Sequence, residues 1–186
     1  MLILASASPR RQALLNAAGI EHQVRIPCVD EARQAGEAPV DYVRRLARAK
    51  ASAIESGIDD IIVGADTVVC LKAEVFGKPS DSSDAVRMLR RLRGQAHWVF
   101  TGVCLRSAQR EIVDFAGTEV FFDEISDHEI TEYVDTGEPL DKAGAYAIQG
   151  LASKFVREIR GCYQNVVGLP VSLVYRHLQS LSGAQR

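Results

Sequence analysis

Apolar positions recur along this chain in two rhythms, one of short continuous runs and one of helical stripes. Leu2-Ile3-Leu4-Ala5 is a run that breaks at Ser6-Ala7-Ser8-Pro9, after which Leu14, Leu15 and Ala18 fall at helical spacing up to Gly19. This predicts a strand, a tight loop and a helix, with Ser8 at the N-cap and Pro9 at the first helical position, where its missing N–H costs nothing. Residues 20–39 combine a short strand, Gln23 to Ile26, with a polar loop holding Asp30, Glu31, Gly36 and Pro39. From Asp41 a long helix closed by Gly57 is predicted, because Val43, Leu46, Ala47, Ala51 and Ile54 share one stripe. Lys50 lies on that same inward stripe. Ile61 to Ala65 is continuously apolar, as a strand covered on both faces would be, and runs into Asp66-Thr67 before Val68-Val69 resumes.

The second half reads as a helix from Asp84 to Arg93 stopped by Gly94, then strands over His97 to Leu105 and Glu111 to Phe122 paired through a turn at Ser107 to Arg110. Ser126-Asp127-His128-Glu129 is a capping box opening a helix through Val134 that stops at Gly137. Residues 138–153 read as a glycine-bearing loop, 154–160 as a strand, and 170–181 as a last helix begun by Pro170. Strands alternate with helices in some places and follow one another as hairpins elsewhere, so the expected fold is α/β with a mixed sheet and helices packed on it.

The length, 186 residues, suits one domain of one or two lobes, and an average composition of 47% apolar and 25% charged residues excludes collagenous and disordered readings. A net charge of −2, from 22 Lys and Arg against 24 Asp and Glu, supplies no cationic field for nucleic acid or anionic lipid. No apolar run approaches the roughly 20 residues of a membrane span, and Met1-Leu2-Ile3-Leu4 lacks the basic preceding region of an export signal. Cys28, Cys70, Cys104 and Cys162 are widely scattered without a Cys-x-x-Cys pair, as expected of reduced, buried cysteines in a cytoplasmic protein. Charge is uneven: positions 110–141 hold eleven acidic residues and one basic, while 84–110 is basic with only Asp84 opposing. This reads as solvated surface or as opposite sides of a cleft.

Five places carry residues that a purely structural role leaves unexplained. Arg10 and Arg11 stand in the first turn of a helix, where they oppose its dipole; they either pair with acids and reach into water, or meet an anion together with Ser6 and Ser8. Asp66 follows an apolar run that would desolvate it, so it either caps a turn or serves chemistry by holding a divalent metal, activating water, or both. Lys50 either threads its stem to the surface or directs a cation at a ligand. Phe76-Gly77-Lys78-Pro79 holds one lysine in a turn but is not a P-loop, since no glycine stands at position 72 and no Ser or Thr follows Lys78. Asp141 to Gly150 is rich in small residues and contains Gln149, whose amide suits reading a base edge. The histidines, His22, His97, His128 and His177, stand at no metal-ligand spacing. A metal used here would be a hard ion, Mg²⁺ or Mn²⁺, on carboxylates and phosphate oxygens.

Taken together, Ser6-Ala7-Ser8-Pro9-Arg10-Arg11, Gly64-Ala65-Asp66-Thr67-Val68-Val69, Gly77-Lys78-Pro79, Thr101-Gly102-Val103, Asp141-Lys142-Ala143-Gly144-Ala145-Tyr146 and Val166-Val167-Gly168-Leu169-Pro170 resemble the Maf family of nucleoside triphosphate pyrophosphatases, in the family's order over nearly the whole chain. Arg11 and Ala145 to Gly150 resemble the branch acting on dTTP and UTP, and Ala152 departs from a glycine frequent in relatives. The resemblance implies a Maf/ITPase-like fold, with an elongated central sheet and flanking helices in two lobes around a cleft, and a homodimer. It implies hydrolysis between the alpha and beta phosphates with a divalent cation, Mg²⁺ or Mn²⁺. Asp66 is implied as the proton acceptor; Arg10, Thr67 and Gln149 as specificity positions; Ser6, Arg11, Lys50 and Lys78 on the phosphate side; and Glu31 near the metal with Asp66. Two other readings remain beside it. One is a nucleotide-sensing regulator of cell division acting through a protein partner, and the other is hydrolysis of noncanonical purine triphosphates.

Overall fold

The computed structural model describes residues 1–182. The first apolar run forms β1 (Leu2–Ala5), followed by α1 (Pro9–Ala17) with Pro9 in its first turn. Ser8 occupies the N-cap with extended backbone, but its side chain makes no capping bond. The edge strand β2 (Gln23–Arg25) is exposed along its length and pairs in parallel with β1, and α2 spans Pro39–Ser52. That helix starts earlier than the apolar stripe suggests because Pro39 is itself a favourable first helical residue, and it stops at Ala53, before Gly57. β3 (Ile61–Leu71) is one unbroken strand of 11 residues, so Asp66 stands inside a strand and caps no turn.

β4 (Glu74–Phe76) turns back antiparallel on β3, and α3 (Ser82–Leu92) follows, capped by Asp81, whose carboxylate accepts the Asp84 N–H at 2.8 Å. β5 (Ala96–Arg106) and β6 (Glu111–Phe122) are neighbours joined by a turn in which Ser107 N–H donates to the Arg110 carbonyl at 2.8 Å. The expected capping box at Ser126 and Glu129 opens α4 (Asp127–Asp135). Residues expected as plain loop instead form short 3₁₀ turns at Glu138–Asp141, Ala143–Ala145 and Leu151–Phe155, which shortens the next strand to β7 (Val156–Arg160). A short helix absent from the sequence reading, α5 (Tyr163–Val167), precedes α6 (Val171–Ser182).

The strands form one mixed seven-stranded sheet in the order β2-β1-β3-β5-β6-β7, with β4 beside β3. The chain forms two compact units. The first comprises 1–67, 101–116 and the C-terminal segment from Gly168; the second comprises 68–100 and 117–167. In the first, Ile3, Ala5, Ala47, Ala51, Ile62 and Cys104 form a core with no exposed surface. In the second, Phe76, Met88, Leu89, Val120, Phe122, Ile130 and Tyr133 are among the side chains that pack together. Cys28 is exposed and Cys162 half-buried, against the expectation that all four cysteines are buried, because both lie in loop segments; burial pushes the Cys104 thiol up to about 12. The basic and acidic runs meet in part as surface ion pairs, with Arg90 and Arg93 both on Asp127. No helix among the described residues is long and apolar enough to cross a membrane.

Candidate active site

Two glycines decide how closely α2 lies on the sheet. A Cβ at Gly64 on β3 would stand 2.1 Å from the Ala47 carbonyl oxygen, and one at Gly102 on β5 would stand 2.2 Å from that of Val43. Backbone therefore rests directly on backbone. Lys50 follows Ala47 by one helical turn, and Asp66 follows Gly64 by two residues, on the same face of the strand. The contact carries Lys50 Nζ to 2.6 Å from Asp66 Oδ1, with both side chains almost fully buried. Lys50 does not thread outward. Its ammonium also reaches Glu31 Oε1 at 2.7 Å, so one cation holds two carboxylates, one buried and one exposed.

The Glu31 loop is tied down from α2. Tyr42 donates its hydroxyl to the Glu31 carbonyl at 2.8 Å, while Arg45 pairs with both oxygens of Glu37 and donates to the Ala32 carbonyl at 3.0 Å. Nothing in the sequence marks Tyr42 and Arg45, since a half-buried i, i+3 pair on a helix has no distinguishing signature.

Arg11 turns inward. The parallel register of β1 and β3 aligns Ala5 with Gly64, so Ser6 and Ala65 come next to each other as β1 ends. Arg11 Nη1 donates to Ser6 Oγ at 3.1 Å and to the Ala65 carbonyl at 2.9 Å. Nε donates to the Gly168 carbonyl at 2.8 Å, and Nη2 to Thr67 Oγ1 at 3.1 Å. Ser6 Oγ also accepts the Ser8 N–H at 3.2 Å, and the hydroxyls of Thr67 and Thr101 lie 2.9 Å apart. Carbonyl and hydroxyl oxygens, rather than water, take the Arg11 guanidinium and resolve its conflict with the α1 dipole. Arg10 is half-buried at the start of the same helix. Gly168 has a φ of +128°, a backbone conformation open to glycine, and its carbonyl serves both Arg11 and Thr67.

Burial raises the Asp66 carboxyl above the usual carboxylate range, opposed by the charges of Lys50 and Arg11. Burial likewise lowers Arg11, against the attraction of Asp66. The result is a buried carboxylate with raised proton affinity, kept beside two cations, which suits a proton acceptor.

Ser6, Arg10, Arg11, Glu31, Lys50, Asp66 and Thr67 all belong to the first unit, whereas Lys78 and Gln149 belong to the second. Both of these are exposed on loops. Within that unit the Gly144 N–H donates to the Gly77 carbonyl at 3.0 Å, which ties the lysine-bearing turn to the small-residue segment. Among the described residues no three His, Cys, Asp or Glu side chains gather as a metal site. Glu31 and Asp66 nevertheless converge on one cationic nitrogen, and carboxylate oxygens are the donors that a hard divalent ion takes.

The chain matches the family model described as Maf-like protein over residues 1–181. It is 51% identical to the dTTP/UTP pyrophosphatase of Koribacter versatilis (strain Ellin345), covering 96% of this chain and 93% of that protein. It is 48% identical to the dTTP/UTP pyrophosphatase of Geotalea uraniireducens (strain Rf4), covering 99% and 96%. Among solved structures it resembles the Staphylococcus aureus Ham1 protein with a TM-score of 0.50 over 96% of this chain and 98% of that one, at 13% identity, a likeness of fold alone. On the full-length match, and on a buried Asp66 embedded in the motif Gly64 to Val69, the chain belongs to the Maf family.

Proposed function

We propose that this protein hydrolyses dTTP and UTP between the alpha and beta phosphates, releasing the nucleoside monophosphate and pyrophosphate. The reading rests on relatives about half identical over nearly the whole chain that carry the name dTTP/UTP pyrophosphatase. The observation in the fold that carries it is the buried Asp66 carboxylate beside Lys50. Asp66 accepts a proton from the attacking water as that oxygen bonds to the alpha phosphorus, the bond from the alpha phosphorus to the bridging oxygen breaks, and pyrophosphate departs with the electron pair. Lys50 and Lys78 neutralise triphosphate charge, Ser6 and Arg11 keep the phosphate-side turn in place, and Arg10 and Thr67 stand with Gln149 as specificity positions. Gln149 selects the base, offering one amide donor and one acceptor to a uracil or thymine edge.

Glu31 and Asp66 would hold a divalent cation, Mg²⁺ or Mn²⁺, which supplies further neutralisation of phosphate charge when bound. A homodimer and a cytoplasmic setting belong to the same reading, and light scattering of the purified chain checks the first.

The test is pyrophosphate release with Mg²⁺ or Mn²⁺ across dTTP, UTP, CTP, GTP and methylated GTP, for wild type and Asp66→Asn. Turnover of dTTP and UTP that disappears in the variant is the expected result. Tight nucleotide binding without turnover in wild type would instead favour a nucleotide-sensing regulator, and preference for purines would refute the branch assignment.

A further inference from the structure

The segment Ala147–Leu151 carries Gln149, yet its side chains are half-buried or exposed, so apolar packing does little to order it. Polar contacts at its two ends do that instead. Tyr133, buried on α4 with its ring edge-on to Phe155 at 5.7 Å, accepts the Ala147 N–H on its hydroxyl at 3.3 Å and donates to Glu138 Oε1 at 2.9 Å. Glu138 in turn takes the Leu151 N–H on both carboxylate oxygens at 3.1 Å. Between these fixed ends the Gly150 N–H donates to the Ala147 carbonyl at 3.1 Å, which closes a turn with Gln149 at its third position. The turn is pressed onto the carboxylate: a Cβ at Gly150 would stand 2.2 Å from Glu138 Oε1. Glu138 is itself held, since its N–H donates to Thr136 Oγ1 at 3.2 Å and its carbonyl accepts Lys142 Nζ at 2.6 Å.

We infer that Tyr133 and Glu138 are positioning residues for base selection, a coupled phenol and carboxylate that fasten both ends of the turn presenting Gln149. The inference rests on the reading that Gln149 selects the base. An amide discriminates between bases only while its direction is fixed, and a shift of about 1 Å in such a group can cost 100-fold.

The experiment measures kcat and KM for UTP, CTP and GTP on the full chain with Tyr133→Phe, Glu138→Ala, Glu138→Gln and Gln149→Ala. Gln149→Ala should shrink the preference for UTP. Tyr133→Phe and Glu138→Ala should follow it, lowering kcat/KM for UTP by about 10- to 100-fold, mainly through KM, and reducing the preference by about 10-fold. Glu138→Gln retains an oxygen for Tyr133 and Leu151 and should stay within about threefold of wild type. If Gln149→Ala shrinks the preference but the other variants lower all substrates equally, or Glu138→Gln fails to restore it, the positioning role is overturned. If Gln149→Ala leaves the preference unchanged, the reading of Gln149 falls, and the inference with it. Should Glu138→Ala not fold, Gly150→Ala displaces the same turn from the other side and must give the same loss of preference.

Discussion

Gly64→Ala tests whether the contact of backbone on backbone positions the Lys50–Asp66 pair. The added methyl would lie 2.1 Å from the Ala47 carbonyl oxygen and 2.7 Å from the Ala51 nitrogen, where ordinary contact begins at 3.4 Å. Both neighbours are main-chain atoms of α2, so no rotamer change relieves the overlap and the helix must move by about 1 Å. Overpacking of this kind costs about 1–3 kcal/mol. Moving α2 also moves Lys50, which meets Asp66 at 2.6 Å, and a displacement of about 1 Å at a reacting group lowers turnover by about 100-fold. Urea denaturation gives the first number and pyrophosphate release the second. Gly77→Ala is the stability control, because a Cβ there meets nothing within 4 Å; its unfolding free energy should stay within about 0.5 kcal/mol of wild type. Gly64→Ala with wild-type stability and turnover would refute the claim that this contact sets the site.

Arg11→Lys should destabilise the chain by about 2–4 kcal/mol in urea with an unchanged slope, because one ammonium cannot serve the Ala65 and Gly168 carbonyls and two hydroxyls at once; a loss below about 0.5 kcal/mol would contradict the buried network. His97 is buried against Phe122 and Tyr146, and burial lowers its pKa from 6.5 to about 4. The unfolded chain takes up this proton below pH 6.5 and the folded chain resists until about 4. The contribution to stability, about 3 kcal/mol, is therefore complete above pH 6.5 and lost as pH falls through that window. Denaturation between pH 4 and 7 should show that limb in wild type and a flatter one in His97→Gln. Equal slopes would show that His97 does not titrate as described.

Local patterns were legible wherever a single element determines them. The α2 stripe placed Lys50 facing inward, the capping box at Ser126 marked the start of α4, and the apolar run before Asp66 marked its burial. The same run left open whether Asp66 lies inside the strand, at its end or in a capped turn, and the unbroken strand from Ile61 to Leu71 places it inside. The loop expected over 138–153 contains 3₁₀ turns held by Tyr133 and Glu138, contacts with no periodic signature.

The sequence by itself determined the order of most strands and helices, the linked motifs of the family, and the residue types that chemistry at a triphosphate requires; β4 and α5 carry no such signal. Tertiary structure decided which of those residues are spent on the protein itself. Arg11 meets the carbonyl of Gly168, 157 positions away, and Lys50 meets Asp66 across a helix-to-sheet contact that two glycines permit. Periodicity records how each segment faces the core. Hydrogen-bond partners so distant in sequence are set by the strand order and by how closely backbones approach, and no local pattern encodes either.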